Sequence, residues 1–123
     1  MIPAPFDYVR AGSVDEAVAL LVEIRVPRTG PIGAHYEKFV RRANDWAIVA
    51  VATVAGRVAL ANMGNAPIRA LAVEKALAQG ASASDAAAFA AEGTAPVTDM
   101  NADADYRKHL ARVLTRRALV AAT

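Results

Sequence analysis

A chain of 123 residues, 55% of them hydrophobic, has the length and apolar content of one modest domain. Its formal charge of +2 is too weak a basic bias for a nucleic-acid binder. The absence of cysteine excludes disulfides, zinc–thiolate sites, thiol catalysis and cysteinyl iron–sulfur ligation within this sequence.

Much of the apolar fraction is alanine, so a few larger aliphatic side chains must carry the packing. Met1–Asp7 lacks the basic start and apolar run of a signal peptide. The longest apolar stretch, Trp46–Ala55, is roughly half the length a bilayer helix needs. The expectation is a cytoplasmic chain without a membrane span.

In chain order, Phe6, Tyr8 and Val9 suit a short strand. Ala11-Gly12 ends it, and Ser13-Val14-Asp15-Glu16 has the spacing of a capping box at a helix start. Ala17, Val18, Leu20 and Leu21 continue that helix. Val22–Val26 then alternates apolar and charged residues, as a half-buried strand does, up to Pro27. No Gly, Pro, Asn or Asp separates helix from strand. A helix-to-strand connection normally needs a few residues of turn chemistry. Either the helix runs on, or two sequences meet here.

Pro27–Gly33 reads as a loop, and His35–Arg42 alternates enough to be extended. Ala43-Asn44-Asp45 is a bend. Trp46–Val54 is a buried strand, Ala55-Gly56-Arg57 a tight hairpin and Val58–Met63 the returning strand. Beyond Pro67 the pattern is helical: Ile68–Gln79 closed by Gly80, a second helix capped by Ser82 or Ser84 and running to Glu92, and a third over Asp103–Ala121. In that last helix Asp103 and Asp105 lie near the positive end, and Arg116 and Arg117 near the negative end. Strands followed by helices predict an α+β fold: a small antiparallel sheet of about three strands packed against three helices, with an N-terminal β–α appendage.

Little of this carries chemistry. His35 and His109 stand far apart without ligand-like company. Lys108, Arg112 and Arg116 form a basic stripe at i, i+4, i+8, which reads better as a solvated face or a partner for carboxylates than as a phosphate site. The segment Tyr36–Trp46 is denser. It sets Tyr36, Arg41, Arg42, Asp45 and the only tryptophan close together. Arginines beside aromatics suit a planar anionic ligand; an Arg–Asp pair with Trp46 in the core is the structural alternative. No glycine-rich dinucleotide motif, P-loop or Ser/His/Asp arrangement is present.

Glu23-Ile24-Arg25-Val26-Pro27, the run Tyr36-Glu37-Lys38-Phe39 through Arg41-Arg42-Ala43-Asn44-Asp45-Trp46-Ala47, Asn62-Met63-Gly64 with Pro67-Ile68-Arg69-Ala70, and Asp105–Leu119 together resemble one family. It is the C-terminal domain of the FAD-binding medium subunit of molybdenum hydroxylases, of the aerobic carbon monoxide dehydrogenase type. Phe6-Asp7-Tyr8 and Ser13–Leu21 resemble the opening β–α unit of the same subunit. On that basis residues 1–21 are a remnant of the flavin-binding domain and residues 22–123 the C-terminal domain. The resemblance implies that the glycine-rich turns wrapping the FAD pyrophosphate are missing at the junction near Leu21–Glu23. It also implies that Tyr36, Arg41, Arg42 and Asp45 lie on the flavin side. Tyr36 would shield the ring, and the arginines would steady carboxylates or cofactor oxygens; Asn44 departs from the acidic residue of some relatives. FAD belongs to the full-length family, and this chain alone is expected to bind none. The implied partners are a molybdenum-binding large subunit and an iron–sulfur small subunit. The apolar face of the N-terminal helix (Val14, Val18, Leu21) needs cover, so a homodimer by exchange of that segment is also expected.

Overall fold

The computed structural model of the chain divides into two units, Met1–Pro31 and Ile32–Thr123, and describes residues 12–15 and 32–122. In the first unit, residues 14–15 are helical directly after Ser13, where the capping box puts a helix start. The strand expected over Phe6–Val9, the remainder of that helix and the strand expected over Val22–Val26 lie outside the described residues.

The second unit is the α+β arrangement expected. Four strands, β1 (Ala34–Phe39), β2 (Val49–Val54), β3 (Arg57–Ala61) and β4 (Ile68–Arg69), form an antiparallel sheet in the order β1-β2-β3-β4. Three helices follow: α1 (Leu71–Ala78), α2 (Ala83–Ala87), which continues into a 3-10 turn over Ala88–Ala91, and α3 (Ala104–Ala121).

Local chemistry accounts for most of the boundaries. β2 and β3 are joined by Ala55 (φ +49°) and Gly56 (φ +76°), two positive φ values in succession, as a two-residue type I′ hairpin requires. Ser82 caps α2 by accepting from the N–H of Asp85 at 3.1 Å. Asp103 caps α3 by accepting from the N–H of Tyr106 at 2.7 Å.

The helix expected from Ile68 starts three residues later, at Leu71. Leu60 pairs with Ile68 and Ala59 with Arg69, so the chain stays extended as a fourth, two-residue strand. The N–H of Ala70 then donates to the Val58 carbonyl at 2.9 Å. Glu74, in the first turn of α1, accepts from Arg69 Nε at 2.6 Å and from the N–H of Val58 at 2.9 Å, which holds helix and strand together. Sheet pairing thus outweighs the helical propensity of residues 68–70.

One face of the sheet carries the core. Val49 and Val51 of β2, Val58 and Leu60 of β3, and Phe39 of β1 pack against Leu110, Leu114 and Leu119 of α3. The α3 residues Arg107, Leu110, Ala111, Leu114, Thr115, Ala118 and Leu119 are buried, the three-to-four spacing of one helical face. Ala111 and Ala118 are fully buried, and a methyl side chain lets the helix approach the sheet closely. Gly33 permits another close approach: a Cβ there would lie 1.8 Å from the carbonyl oxygen of Ala122.

Two buried threonines differ in their bonding. Thr53 Oγ1 lies 3.4 Å from the carbonyls of His35 and Ala118, linking sheet to helix. Thr115 Oγ1 is buried with no hydrogen-bond partner among the described residues. An unsatisfied hydroxyl in a core is worse than a methyl of the same shape. Thr115→Val is therefore expected to stabilise the chain by about 1 kcal/mol, read as a higher urea midpoint with unchanged slope. A lower midpoint would show that the hydroxyl is satisfied.

Candidate functional site

β1 and β2 are joined by the segment 40–48, which contains three of the four residues singled out from the sequence. It is held at many points. The N–H of Ile48 donates to the Phe39 carbonyl at 2.8 Å, while Phe39 also pairs with Val49, so two residues face one as in a bulge. The N–H of Asp45 donates to the Arg42 carbonyl at 3.0 Å. Arg41 Nε lies 3.9 Å from Asp45 Oδ2, and Lys38 Nζ donates to the Asp45 carbonyl at 3.4 Å. Asn62, in β-to-loop position with φ +62°, sends its amide Nδ2 to the carbonyls of Ala47 at 2.9 Å and Ile48 at 3.2 Å.

Arg41, Arg42 and Asp45 are thereby brought together, with Arg42 exposed at the corner. Tyr36 stands apart from them, in the middle of β1. Glu37 faces the helices, since its carboxylate lies 4.0 Å from Arg117 of α3. By strand alternation Tyr36 and Lys38 project from the opposite face, away from the three helices of this unit. Tyr36 is 59% exposed there. The four residues form a strip along one edge and corner of the sheet rather than an enclosed pocket. Trp46 is not in the core: it is 95% exposed. The bulge at Ile48 delays β2 until Val49 and leaves the indole outside.

Sequence reasoning missed Arg107. It looked like one more cation on a charged helix, yet it is the largest fully buried side chain. Its NH1 donates to the Ile48 carbonyl and its NH2 to Asp99 Oδ2 at 2.7 Å, so one guanidinium ties α3, the 94–103 loop and the end of the bend. Its place at the first turn of the apolar stripe, three residues before Leu110, is the signal that was available. Asp99 is held below the usual carboxylate range, chiefly by the N–H of Asn101, then by the N–H of Ala102 and by Arg107.

The other charges have ordinary places. Lys108 lies 3.5 Å from Asp105, and Arg112 Nε donates to the Ala88 carbonyl at 3.2 Å, as befits a solvated face. His109 is exposed. His35 Nε2 lies 3.1 Å from Glu37 Oε2. Among the described residues no group of three or more His, Cys, Asp or Glu is placed to hold a metal ion, and no helix is long and apolar enough to cross a membrane.

Residues 34–122 match the family model described as the CO dehydrogenase flavoprotein C-terminal domain. The chain belongs to this family. The carbon monoxide dehydrogenase medium chain of Afipia carboxidovorans is 36% identical over 111 residues, covering 80% of this chain and 38% of the relative. Among solved structures, carbon monoxide dehydrogenase from Hydrogenophaga pseudoflava superposes with a TM-score of 0.66 at 33% identity, over 73% of this chain and 36% of that one. Quinoline 2-oxidoreductase from Pseudomonas putida 86 gives 0.64 at 25% identity, over 76% of this chain and 38% of that one. The chain therefore spans little more than a third of the length of these relatives. What it shares with this family is the C-terminal part: the sheet, the bend and the three helices.

Against a flavin, the described residues fit only in part. Tyr36 offers an exposed aromatic face, and Arg41 and Arg42 offer cations with solvent-accessible heads. Among the described residues no run of glycines with inward N–H groups stands near them, and none forms a wall opposite the strip.

Proposed function

We propose that this chain is the C-terminal module of the FAD-binding subunit of a molybdenum hydroxylase of the aerobic carbon monoxide dehydrogenase type, without activity by itself. The observation that carries this is the family match over residues 34–122. In the complete subunit, electrons pass from iron–sulfur clusters through FAD to an acceptor. Residues 1–21 are a remnant of the opening β–α unit of the flavin domain, and residues 22–123 are the C-terminal domain. The partners are the molybdenum-binding large subunit and the iron–sulfur small subunit, in the cytoplasm.

In this assignment Tyr36, Arg41, Arg42 and Asp45 face the flavin. Asp45 steadies Arg41, the Arg42 head is available to a carboxylate or cofactor oxygen, and Tyr36 covers an aromatic ring. FAD would supply the redox chemistry; these residues only position it. A dinucleotide needs its pyrophosphate held by convergent backbone N–H groups and most of its surface enclosed. An open strip supplies neither. The purified chain is therefore expected to be colourless and to bind FAD more weakly than about 100 µM. Visible absorbance after gel filtration measures this, and one equivalent of retained flavin would overturn it.

Exposed Trp46 and Met100, at 95% and 91%, favour a second reading, a subunit-interaction module without flavin. Co-expression with the large and small subunits and with the flavin-binding part of the medium subunit as a separate chain separates the two. Flavin in the co-purified complex supports the first reading, and a flavin-free complex supports the second.

A further inference from the structure

We infer that the free edge of β1 is a self-complementary dimerisation site, at which two copies of this chain join their sheets across a two-fold axis through Tyr36. The two edges of the sheet are unlike. β4 is only two residues long, which blunts that side. β1 is six residues long, contains no proline, and has no partner strand on its outer side among the described residues.

The ladder fixes which groups face outward. The N–H of Ala55 donates to the Gly33 carbonyl at 2.9 Å, and the N–H of Ile48 to the Phe39 carbonyl at 2.8 Å. The odd-numbered residues thus turn their backbone groups toward β2. By alternation, Ala34, Tyr36 and Lys38 present N–H and C=O to the open edge.

A second β1 running antiparallel can keep the helices of both copies on one side only if residues of like parity meet. Of the registers that do this, two pair the most residues, five of each strand. One places Glu37 opposite its own copy, setting like charges against each other. The other places Tyr36 opposite Tyr36, Ala34 opposite Lys38, and His35 opposite Glu37 twice over. Those last pairs are non-hydrogen-bonded positions, where side chains come closest. His35 already lies 3.1 Å from Glu37 of its own strand. In the dimer each imidazole stands between two carboxylates and each carboxylate between two imidazoles, an alternating ring of four. On the face away from α1, α2 and α3 the two Tyr36 rings meet at the axis. Avoided Glu37–Glu37 repulsion together with imidazole–carboxylate hydrogen bonding therefore selects the Tyr36-centred register, and the occupant is a second copy of this chain.

The full chain contains no cysteine, so single cysteine variants report the register cleanly. Tyr36→Cys places two thiols opposite each other at about 5.5 Å between Cα atoms, within disulfide reach. Lys38→Cys places them about 13 Å apart along the strand, out of reach. Under mild oxidation Tyr36→Cys is expected to give a covalent dimer and Lys38→Cys almost none. Sedimentation of the unmodified chain from about 10 to about 500 µM, the range of a small interface, is expected to show a monomer–dimer equilibrium. Glu37→Lys is expected to weaken it at least tenfold, and His35→Glu with Glu37→Lys to restore it. A monomer at every concentration would overturn the proposal, as would a disulfide in Glu37→Cys instead of Tyr36→Cys. A dimer that Glu37→Lys leaves unchanged would also overturn it.

Discussion

Replacing Arg107 with alanine is expected to lower the unfolding free energy by about 3 kcal/mol, and replacing it with methionine by about half of that. The two variants separate two effects. Alanine removes the largest fully buried side chain and leaves a cavity; methionine keeps most of the volume and removes only the polar contacts. Those contacts are worth less than their burial suggests. Asp99 retains the N–H groups of Asn101 and Ala102 at 2.8 and 3.1 Å, and the Ile48 carbonyl retains Asn62 at 3.2 Å. Arg107 Nε is buried without a partner among the described residues, a penalty already present in the native state. Cavity formation should therefore dominate. Urea unfolding followed by circular dichroism measures both variants, and a loss below about 1 kcal/mol for alanine would contradict this balance. The same experiment run from pH 7 to pH 3 tests the carboxylates. Asp99 is held low mainly by the Asn101 N–H, and Glu74 mainly by the Arg69 guanidinium. A carboxyl whose folded pKa is depressed contributes fully above its unfolded value of about 4. That contribution is lost as pH falls through the lowered folded value. Stability should be level from pH 7 to about 5 and decline below about 4.

Leu60→Ala is expected to cost about 3 kcal/mol. Leu60 is 1% exposed, on β3 between central β2 and the short β4, and joins the cluster under α3. The cluster it belongs to includes Ala70, Ala76, Ala86, Ala90, Ala111 and Ala118, which have no rotamers with which to fill a void. A core of this composition collapses poorly around a deletion, so the cavity persists. Against a total stability of about 5–15 kcal/mol for a domain, that loss is a large fraction. The check is the urea midpoint at constant slope; a shift worth less than about 1.5 kcal/mol would mean that the alanine-lined site closes up.

The sequence showed the sheet clearly where local chemistry and pattern agreed. The Ala55-Gly56 hairpin, the alternation in β1, a cap at Ser82 (one of the two serines offered) and the start of the last helix at Asp103 all lie where residue type alone places them. It misjudged the sites where distant pairing decides. Ile68–Arg69 is extended because β3 and Glu74 hold it, and neither is visible in a local window. Trp46 was read into β2 because apolar character continues without a break from Trp46 to Val54. The bulge that expels it depends on the Phe39 carbonyl, seven residues earlier. Arg107 was legible as an i–3 neighbour of Leu110 but not as a buried hub, because its acceptors come from Ile48 and Asp99. Arg41, Arg42 and Asp45 lie together because they are neighbours in sequence within one bend; Tyr36 is separated from them by strand geometry.

The position of Trp46 has a practical side. The chain has one indole, and native folding leaves it in water. Its emission in the folded protein should already resemble that of a fully hydrated indole, so intrinsic fluorescence will barely register denaturation. The same residue becomes a sensitive optical reporter of anything that settles on the 40–48 corner, because covering it must change its solvent.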